Sequence, residues 1–342
     1  MNETKCELAY QLAYDPIYRA SQLYTFLISI LAVPSLFRFL VKRLFSLHFH
    51  GNLKTLLIAY FISLLLYATI LCFDFGYHFL VPCFVTEKCN LIIDRMLFRI
   101  VHIPTLFLLT LPMWFPLGFI IERFMAMGMP SRYERAPTIM GPVLVFLLVT
   151  PNFFIFYFIF QNETFDDVFI SFHMLPITSA GKFSNYLWFL LYLKCGNFIG
   201  NFAFLLVHKW FKKRYLLQKS TLSVRYAMEE ISQSSKFTLL ITSTHLIFFG
   251  IYTACSLFVR VLGQTYFGSF ISHYIARGFN CATPTYNFVI VIVASKYLEY
   301  LNTRRAERIL SSVQIKSTGA EGYKNYEDAM VNQWATIASS RN

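Results

Sequence analysis

The sequence predicts an all-α membrane protein, a bundle of seven transmembrane helices with its N-terminus outside the cell and its C-terminus in the cytoplasm. Three observations predict this fold class: an apolar composition, apolar runs of membrane-spanning length, and an asymmetric distribution of basic residues. Of the 342 residues, 56% are hydrophobic and 14% charged, and the mean hydropathy is +0.51. Soluble domains carry roughly 25% charged residues, so the composition excludes an ordinary soluble domain.

Apolar runs of about twenty residues recur along the chain, the length that an α-helix needs to cross about 30 Å of hydrocarbon. They make up a transmembrane domain over residues 21–294, and the seven predicted spans are 21–41, 55–75, 95–121, 139–160, 186–207, 237–259 and 276–294. Several contain proline, as at Pro34, Pro104 and Pro284. Packed neighbouring helices in a membrane can satisfy the carbonyl groups that proline leaves free, so these prolines do not exclude the spans.

The segments at the two ends are more polar than the spans. Residues 1–20 contain Glu3, Glu7 and Asp15 instead of a basic segment, which argues against a cleaved signal peptide and makes 1–20 an extracellular tail. Residues 295–342 form a cytoplasmic tail, in which apolar side chains recur at helical spacing over 297–313. This spacing is typical of an amphipathic helix at the membrane surface; a solvated basic tail is the alternative.

The distribution of lysine and arginine predicts the orientation. One set of alternate loops, with the C-terminal tail, holds 20 of these residues, and the other set, with the N-terminal tail, holds 5. Cytoplasmic loops carry the excess, so the N-terminus is predicted outside. The sequons at Asn2 and Asn162 both fall outside and are candidate glycosylation sites. The net charge of +12 follows from the same bias, and we expect no nucleic-acid partner.

Three of the seven cysteines, Cys6, Cys83 and Cys89, lie in the segments predicted outside. Disulfides form and persist in that oxidising compartment. Three thiols allow one bridge and one free cysteine. A bridge from the tail to the first outer loop, a local bridge between Cys83 and Cys89, and no bridge all remain open.

Polar residues inside the predicted spans suggest a ligand site in the outer half of the bundle. Lys194 lies about 12 Å into the fifth span, with Asn197 and Asn201 on nearby turns; the alternative is that its ammonium group reaches back to the outer interface. Arg95, Arg99 and His102 share one face of the third span because they are spaced by four and three residues. Asp74 is a candidate partner for one of these three, and a purely structural ion pair is the alternative.

The segment FPLGFIIERFMAMGMPSRYE places Glu122 and Arg123 where the third span leaves the membrane on the predicted cytoplasmic side. We expect Arg123 to be held by Glu122 or by polar groups in SQSSK, which supplies Ser232, Ser234 and Ser235. An exposed or half-exposed pair is worth only about 0 to 1 kcal/mol, which suits a switch. The alternative is an interface anchor in which Arg123 meets only phosphates.

The third inner loop extends the predicted cytoplasmic surface. It reads HKWFKKRYLLQKSTLSVRYAMEEISQSSK, and the basic cluster Lys212, Lys213 and Arg214 follows directly from the fifth span. These three residues join Glu122 and Arg123 as candidates for contact with a cytoplasmic partner.

A seven-span bundle with its N-terminus outside indicates a signalling receptor, a light-driven pump, or a small transporter or channel. A retinal pump needs a lysine in the seventh span, and 276–294 contains none. The sequence has no HExxH motif, metal-ligand cluster, phosphate loop or paired intramembrane carboxylates, so we expect neither an enzyme nor a bound metal or cofactor. A small-solute transporter or channel remains the alternative to a receptor, and guanine-nucleotide exchange against solute flux would separate the two.

Several motifs together resemble the Sra superfamily of nematode serpentine chemoreceptors, with class alpha/beta the most similar. They are CELAYQLAYDPIYRASQLY in the tail, FHGNLKTLL before the second span, IERFMAM with SRYE after the third, and CATPTYNFVIVIVASKYLEY in the seventh. The resemblance runs from about residue 6 to 300. It implies a G-protein-coupled receptor in the plasma membrane of ciliated sensory endings, whose partners are a heterotrimeric G protein, a small environmental ligand and membrane lipids.

The sequence also departs from the better-known rhodopsin-like pattern. Glu122-Arg123-Phe124 resembles the acid-Arg-aromatic motif that ends the third helix of those receptors. The second outer loop, 161–185, has no cysteine, the sixth span lacks Cys-Trp-x-Pro, and Pro284 with Tyr286 only loosely resembles Asn-Pro-x-x-Tyr. How activation would pass through the bundle is therefore not predicted from this pattern.

Overall fold

A computed structural model describes residues 3–47, 49–85, 87–128, 133, 138–217, 222–278, 281–313, 322–328 and 330–331. The described residues are almost entirely helical, apart from short turns and one isolated antiparallel bridge between Ile93 and Phe169. The chain divides into two units, Met1–Ser295 and Lys296–Asn342.

The helices follow one another in the order α1 to α10. Their bounds are α1 Glu3–Tyr14, α2 Pro16–Phe39, α3 Gly51–Phe84, α4 Arg95–Thr110, α5 Phe115–Gly128, α6 Met140–Phe160, α7 Ile177–Leu217, α8 Leu222–Tyr266, α9 Phe270–Gly278 and α10 Ala282–Val313. A π-helical turn, Leu40–Leu44, extends α2, and a 3₁₀ turn, Lys88–Leu91, precedes α4.

Six helical segments of the described chain are long and apolar enough to cross a membrane: Pro16–Leu44, Gly51–Phe84, Arg95–Gly128, Met140–Phe160, Ile177–Phe211 and Met228–Gly263. These correspond to the first six predicted spans. The predicted seventh span falls on the end of α9, on the residues that follow it and on α10, and α10 is less apolar because it includes Thr283, Asn287 and Lys296. The all-helical membrane fold is confirmed.

The helices run beyond the apolar sequence that predicts them. Residues 139–160 match α6 closely, whereas α7 and α8 extend past both ends of 186–207 and 237–259. Backbone hydrogen bonding continues as a helix enters water, and hydropathy detects only the part that lies in hydrocarbon. Residues 297–313 are likewise helical, but as the continuation of α10 rather than as a separate helix; a surface role for them stays a prediction.

The third predicted span is two helices and not one. A 3₁₀ turn at Leu111–Met113 separates α4 from α5. Pro112 and Pro116 lie at this break, and each lacks the backbone N–H that would continue the α-helical ladder. The span then runs to Gly128, beyond its predicted end at residue 121.

Side-chain caps set where two of the helices begin. The carboxylate of Asp15 accepts a hydrogen bond from Tyr18 N at 2.9 Å and starts α2. Asp94 accepts bonds from Met96 N and Leu97 N at 2.9 and 3.1 Å and starts α4. Each cap satisfies backbone donors that a helix N-terminus leaves unpaired.

Helix α3 lies at the centre of the bundle, where it packs against α2, α4, α5 and α6. Its contact with α6 is unusually close, because a Cβ added to Gly141 would lie 2.7 Å from the carbonyl oxygen of Asn52. The same two residues are hydrogen-bonded, since Gly141 N donates to Asn52 Oδ1 at 2.9 Å. Only glycine permits this approach, so the pair fixes α3 against α6.

We name the two ends of the bundle by what they contain. The disulfide end includes α1, the bridge between Cys6 and Cys89, the segment 161–176 and α9. The arginine end includes His50 before α3, Arg123 on α5 and Ser234 on α8. The candidate ligand cavity lies at the first end, and the candidate coupling residues lie at the second.

Candidate ligand cavity and coupling site

The disulfide joins Cys6 of α1 to Cys89 of the turn before α4, the first of the three alternatives that the sequence left open. Cys83 is an exposed free thiol. Lys88 Nζ donates to Glu7 Oε2 at 2.5 Å beside the bridge, and this hydrogen bond lowers the pKa of the Glu7 carboxyl. The N-terminal helix is thus fastened to the turn before α4 by one covalent bond and one ion pair.

Arg95, Arg99 and His102 share one face of α4, and all three contact the segment 161–176. Arg95 pairs with Asp166 at 2.8 Å, and the Arg99 guanidinium lies 5.7 Å from the ring centroid of Phe165. His102 Nδ1 lies 2.6 Å from the carbonyl oxygen of Phe172. These contacts attach the segment to α4.

The segment 161–176 also packs against α4 through aromatic rings. Phe98 stacks on Phe169 with ring centroids 3.7 Å apart, and Phe165 and Phe172 belong to the same buried cluster. This packing holds the segment, which contains no cysteine, against α4. The exposed side chain of Asn162 lies in the turn that follows α6.

Asp74 pairs with histidines rather than with the basic face of α4. Its carboxylate is fully buried, with His78 Nε2 at 3.5 Å and His173 Nε2 at 3.4 Å. Burial lowers the pKa of His173 to about 4, so this imidazole is neutral at pH 7. The expectation that Asp74 meets Arg95, Arg99 or His102 is wrong, because α3 turns the carboxylate toward the segment 161–176.

A cavity of about 690 Å³ opens among α3, α4, α8, α9 and the start of α10. This volume lies in the range of small-molecule sites. Apolar walls come from both sides of the cavity and include Leu106, Leu109, Ile251, Val259, Phe267 and Ile275. Polar groups also line it, namely Tyr67, Thr105, His173, Tyr252, Ser256, Arg260, Ser272 and Arg277.

The residues predicted to bind ligand do not belong to this lining among the described residues. Arg95, Arg99 and His102 hold the neighbouring segment instead, and their role in binding stays a prediction. Sequence reasoning missed Arg260 and Arg277, because it placed one in an outer loop and gave no role to the other. Only the packing of α9 against α8 brings them together.

Lys194 lies deeper in the bundle than the cavity and faces its interior. Its side chain is buried, its Nζ lies 4.9 Å from the ring centroid of Phe249, and it has no hydrogen-bond partner in the described chain. Asn201 Nδ2 donates to the carbonyl oxygen of Asn197 at 2.9 Å. The alternative, in which the Lys194 ammonium group reaches back to the outer interface, is therefore wrong.

Aromatic and polar side chains form a layer below the cavity. The Tyr60 and Tyr286 hydroxyl groups are hydrogen-bonded, and His245 stacks on Phe249 at 4.3 Å. Tyr60 also meets Phe119 at 5.7 Å, one helical turn from Glu122. This layer joins α3, α5, α8 and α10 midway between the two ends.

The arginine end closes around one buried ion pair. Arg123 donates to both carboxylate oxygens of Glu122, through Nε at 2.5 Å and Nη2 at 2.6 Å, and through Nη1 to Ser234 Oγ. Both contacts expected of Arg123 are therefore present. The hydroxyl of Tyr133 also donates to Glu122 Oε1, a partner that lies in the quoted SRYE motif but was not predicted.

The pair is buried rather than half-exposed, since the Glu122 and Arg123 side chains are 0% and 4% exposed. Removing one partner of a buried pair typically costs about 3 to 5 kcal/mol. The expectation of an exposed or half-exposed pair, on which the value of about 0 to 1 kcal/mol rested, is therefore wrong, because packing that includes Tyr133 excludes water that hydropathy alone would place here.

For four remaining candidate residues, the side chain or the whole residue lies outside the described set. The backbone of Lys212, Lys213 and Arg214 belongs to α7, which runs to Leu217, but their side chains lie outside the described set. Asn2 lies outside the described residues. Their predicted roles stay predictions.

Comparison with known proteins agrees with the architecture. Residues 14–249 match the model of the family described as serpentine type 7TM GPCR chemoreceptor Srb. Serpentine receptor class beta-13 of Caenorhabditis elegans is 60% identical over 337 residues, 98% of each chain. Class beta-5 of the same organism is 56% identical over 99% of this chain and 98% of its own, and class beta-15 is 33% identical over 97% and 98%.

Proposed function

The chain belongs to the Srb family of serpentine chemoreceptors, which are G-protein-coupled receptors, and from that premise we propose that its two ends divide the work of signalling. A small environmental ligand binds in the 690 Å³ cavity at the disulfide end. A heterotrimeric G protein binds at the arginine end. The family is one of receptors and not of enzymes.

The disulfide end faces the outside of the cell in this proposal. The excess of lysine and arginine in the other set of loops supports that orientation. A bridge between Cys6 and Cys89 suits an oxidising compartment, and Asn162 is exposed at the same end for glycosylation. The receptor then lies in the plasma membrane, at ciliated sensory endings, with residues 295–342 in the cytoplasm.

The buried contact of Arg123 with Ser234 is the observation that carries the coupling proposal. Glu122 and Arg123 are neighbours on α5 and move together, whereas Ser234 lies on α8. Separating α5 from α8 therefore breaks only the serine contact and keeps the ion pair. A hydrogen bond to a charged group is worth about 1.5 to 3 kcal/mol, less than the roughly 5.5 kcal/mol that moves a population from 1:99 to 99:1.

Substitutions at Ser234 and Ser235 test this switch, with guanine-nucleotide exchange on a purified G protein as the readout and the full-length receptor in nanodiscs. Ser234→Ala removes the contact to Arg123 and is expected to raise exchange without ligand. Ser235→Ala is the matched control, because Ser235 is equally buried and its hydroxyl has no hydrogen-bond partner among the described residues. Equal basal exchange in both variants would contradict the proposal.

The ion pair itself gives a second test. Glu122→Gln frees Arg123 from its counter-charge and is expected to raise basal exchange, whereas Arg123→Ala is expected to abolish coupling. Folded receptor is quantified first, since both changes disturb a buried pair. If folded Arg123→Ala still drives exchange, or if the receptor instead carries solute into vesicles, the assignment of the arginine end to G-protein coupling fails.

A further inference from the structure

The cavity at the disulfide end has an unbalanced charge. Arg260 on α8 and Arg277 on α9 both line it, and no carboxylate is among its described lining residues. Arg277 Nε is buried without a hydrogen-bond partner in the described chain, and Arg260 Nε makes only a long contact of 3.4 Å to Ser256 Oγ. The acids behind the lining are Asp74, which faces His173 at 3.4 Å, and Asp167, which lies within electrostatic range of Tyr274 beside Arg277.

An arginine in a protein stays protonated, so burial cannot relieve this charge by loss of a proton. A guanidinium held away from water is stabilised by a counter-anion and by hydrogen bonds to its N–H groups. Other arginines of this chain have such partners: Arg95 meets Asp166, and Arg123 meets Glu122. The ring of Phe183 lies 5.6 Å from the Arg260 guanidinium and attracts it through a cation–π interaction, but the ring is not a counter-ion.

Apolar side chains predominate in the rest of the lining, which extends away from the two arginines. Ile251 and Arg260 both line it and are nine residues apart on α8, which corresponds to roughly 13 Å along the helix. Leu106 and Leu109 of α4 form the deep wall. The cavity thus has a cationic end close to the disulfide and a hydrocarbon-like end toward the centre of the bundle.

We propose that the ligand is a small anionic amphiphile, with a carboxylate or sulfate group at Arg260 and Arg277 and an apolar chain along Ile251 and Leu109. The inference rests on the proposed ligand role of this cavity. It excludes amines, which meet two like charges, and it ranks neutral alcohols below acids of the same length. Arginine favours planar carboxylate through paired N–H donors.

Direct binding to full-length receptor in phosphatidylcholine nanodiscs tests the proposal without a G protein. Octanoate and octyl sulfate are compared with octanol, octylamine and acetate. Octanoate and octyl sulfate are expected to bind about tenfold or more tightly than the other three compounds, because a hydrogen bond to a charged group contributes a free energy of that size. Octanol or octylamine binding as tightly as octanoate, or no binding of either anion, would overturn it.

Variants locate the site. Arg260→Gln and Arg277→Gln are each expected to weaken octanoate binding about tenfold or more. Arg260→Lys and Arg277→Lys keep the charge and are expected to retain part of the affinity. Arg19→Gln is the matched control, since Arg19 lies outside the cavity lining and its guanidinium lies 5.8 Å from the ring centroid of Tyr14. Weakening by Arg19→Gln to the same degree would overturn the assignment. Nanodiscs with phosphatidylserine form a further arm, in which competition by the lipid would assign the site to a membrane headgroup and overturn the small-ligand inference.

Nucleotide exchange separates this inference from the proposed function. Anion binding through Arg260 and Arg277 without exchange on any G protein supports the anionic site and contradicts the signalling role. Exchange driven by a neutral or cationic ligand, with neither anion bound, contradicts the anionic site and leaves the receptor role intact.

Discussion

The two ends of the bundle differ in whether their arginine side chains have a carboxylate partner. At the arginine end, Arg123 is buried with its charge and N–H groups satisfied by Glu122 and Ser234. At the disulfide end, Arg260 and Arg277 face a cavity without a carboxylate partner in the described lining. A closed, internally neutral cluster suits a switch that opens when helices part, whereas an open cluster with excess charge suits a binding site.

The ends also differ in how they are held together. The disulfide end has a covalent bridge, a surface ion pair and a stack of phenylalanines from two segments. The arginine end is held by the hydrogen-bonded cluster of Arg123, by the bond that His50 N donates to Glu230 and by the close contact of α3 with α6. The first arrangement keeps a binding cavity in place, and the second can rearrange without breaking a covalent bond.

Breaking the ion pair at the arginine end is the largest expected effect. Arg123→Met or Glu122→Leu alone leaves a buried charge and is expected to lower the free energy of unfolding by about 3 to 5 kcal/mol. The double variant removes both charges and is expected to regain most of the loss. Unfolding in micelles monitored by circular dichroism measures all three. Single variants within about 1 kcal/mol of the parent would mean that the pair is solvated, as an exposed pair is.

Opening the disulfide is the next largest. Cys6→Ser is expected to lower the free energy of unfolding by about 2 to 4 kcal/mol, because the bridge closes a long loop in the unfolded chain. Cys83→Ser is the matched control, since Cys83 is a free, exposed thiol at the same end. The same unfolding experiment under non-reducing conditions reports both changes. Equal losses in the two variants would show that the bridge does not stabilise this end.

Lys194 lies between the two ends and sharpens the comparison, because its ammonium group is buried without an acid beside it in the described chain. Lys194→Met is expected to raise the free energy of unfolding by up to about 2.5 to 3.5 kcal/mol, the range that a lysine costs at the centre of a membrane span. Lys182→Met, at an exposed lysine near the start of α7, is the control. A loss of stability on Lys194→Met would indicate a partner for the ammonium group.

The smallest expected effect is at the surface of the disulfide end. Arg95→Gln removes an exposed pair with Asp166 and is expected to cost no more than about 1 kcal/mol. High salt should reduce even this difference, because exposed charges are screened. A thermal unfolding series at low and high salt makes the measurement, and a larger, salt-independent loss would mean that Arg95 holds the segment 161–176 by more than charge.

Sequence patterns predicted most of the helical architecture because hydrocarbon imposes a strict length and composition. The fourth span, predicted over residues 139–160, agrees almost to the residue with helix α6, Met140–Phe160. The same rule failed at the third span, where Pro112 and Pro116 divide α4 from α5. It also made the predicted fifth and sixth spans shorter than α7 and α8, because the parts of a helix that lie in water leave no hydropathy signal.

Local spacing found some site residues and missed others. Glu122 and Arg123 are adjacent, and a nearby serine motif supplied Ser234, so the cluster at the arginine end was predicted in its partners but not in its burial. Arg95, Arg99 and His102 share a face as their spacing requires, yet they meet the segment 161–176 instead of lining the cavity.

The sequence by itself determined that this chain is a helical membrane protein and carried the motifs of its receptor family, because composition and short motifs are local properties. The tertiary structure alone decided that Cys6 joins Cys89, that Asp74 meets His173, and that Arg260 and Arg277 face one cavity. Each of these pairings joins different helices or loops. Their approach depends on how whole helices pack and on where water is excluded, which no periodicity along the chain encodes.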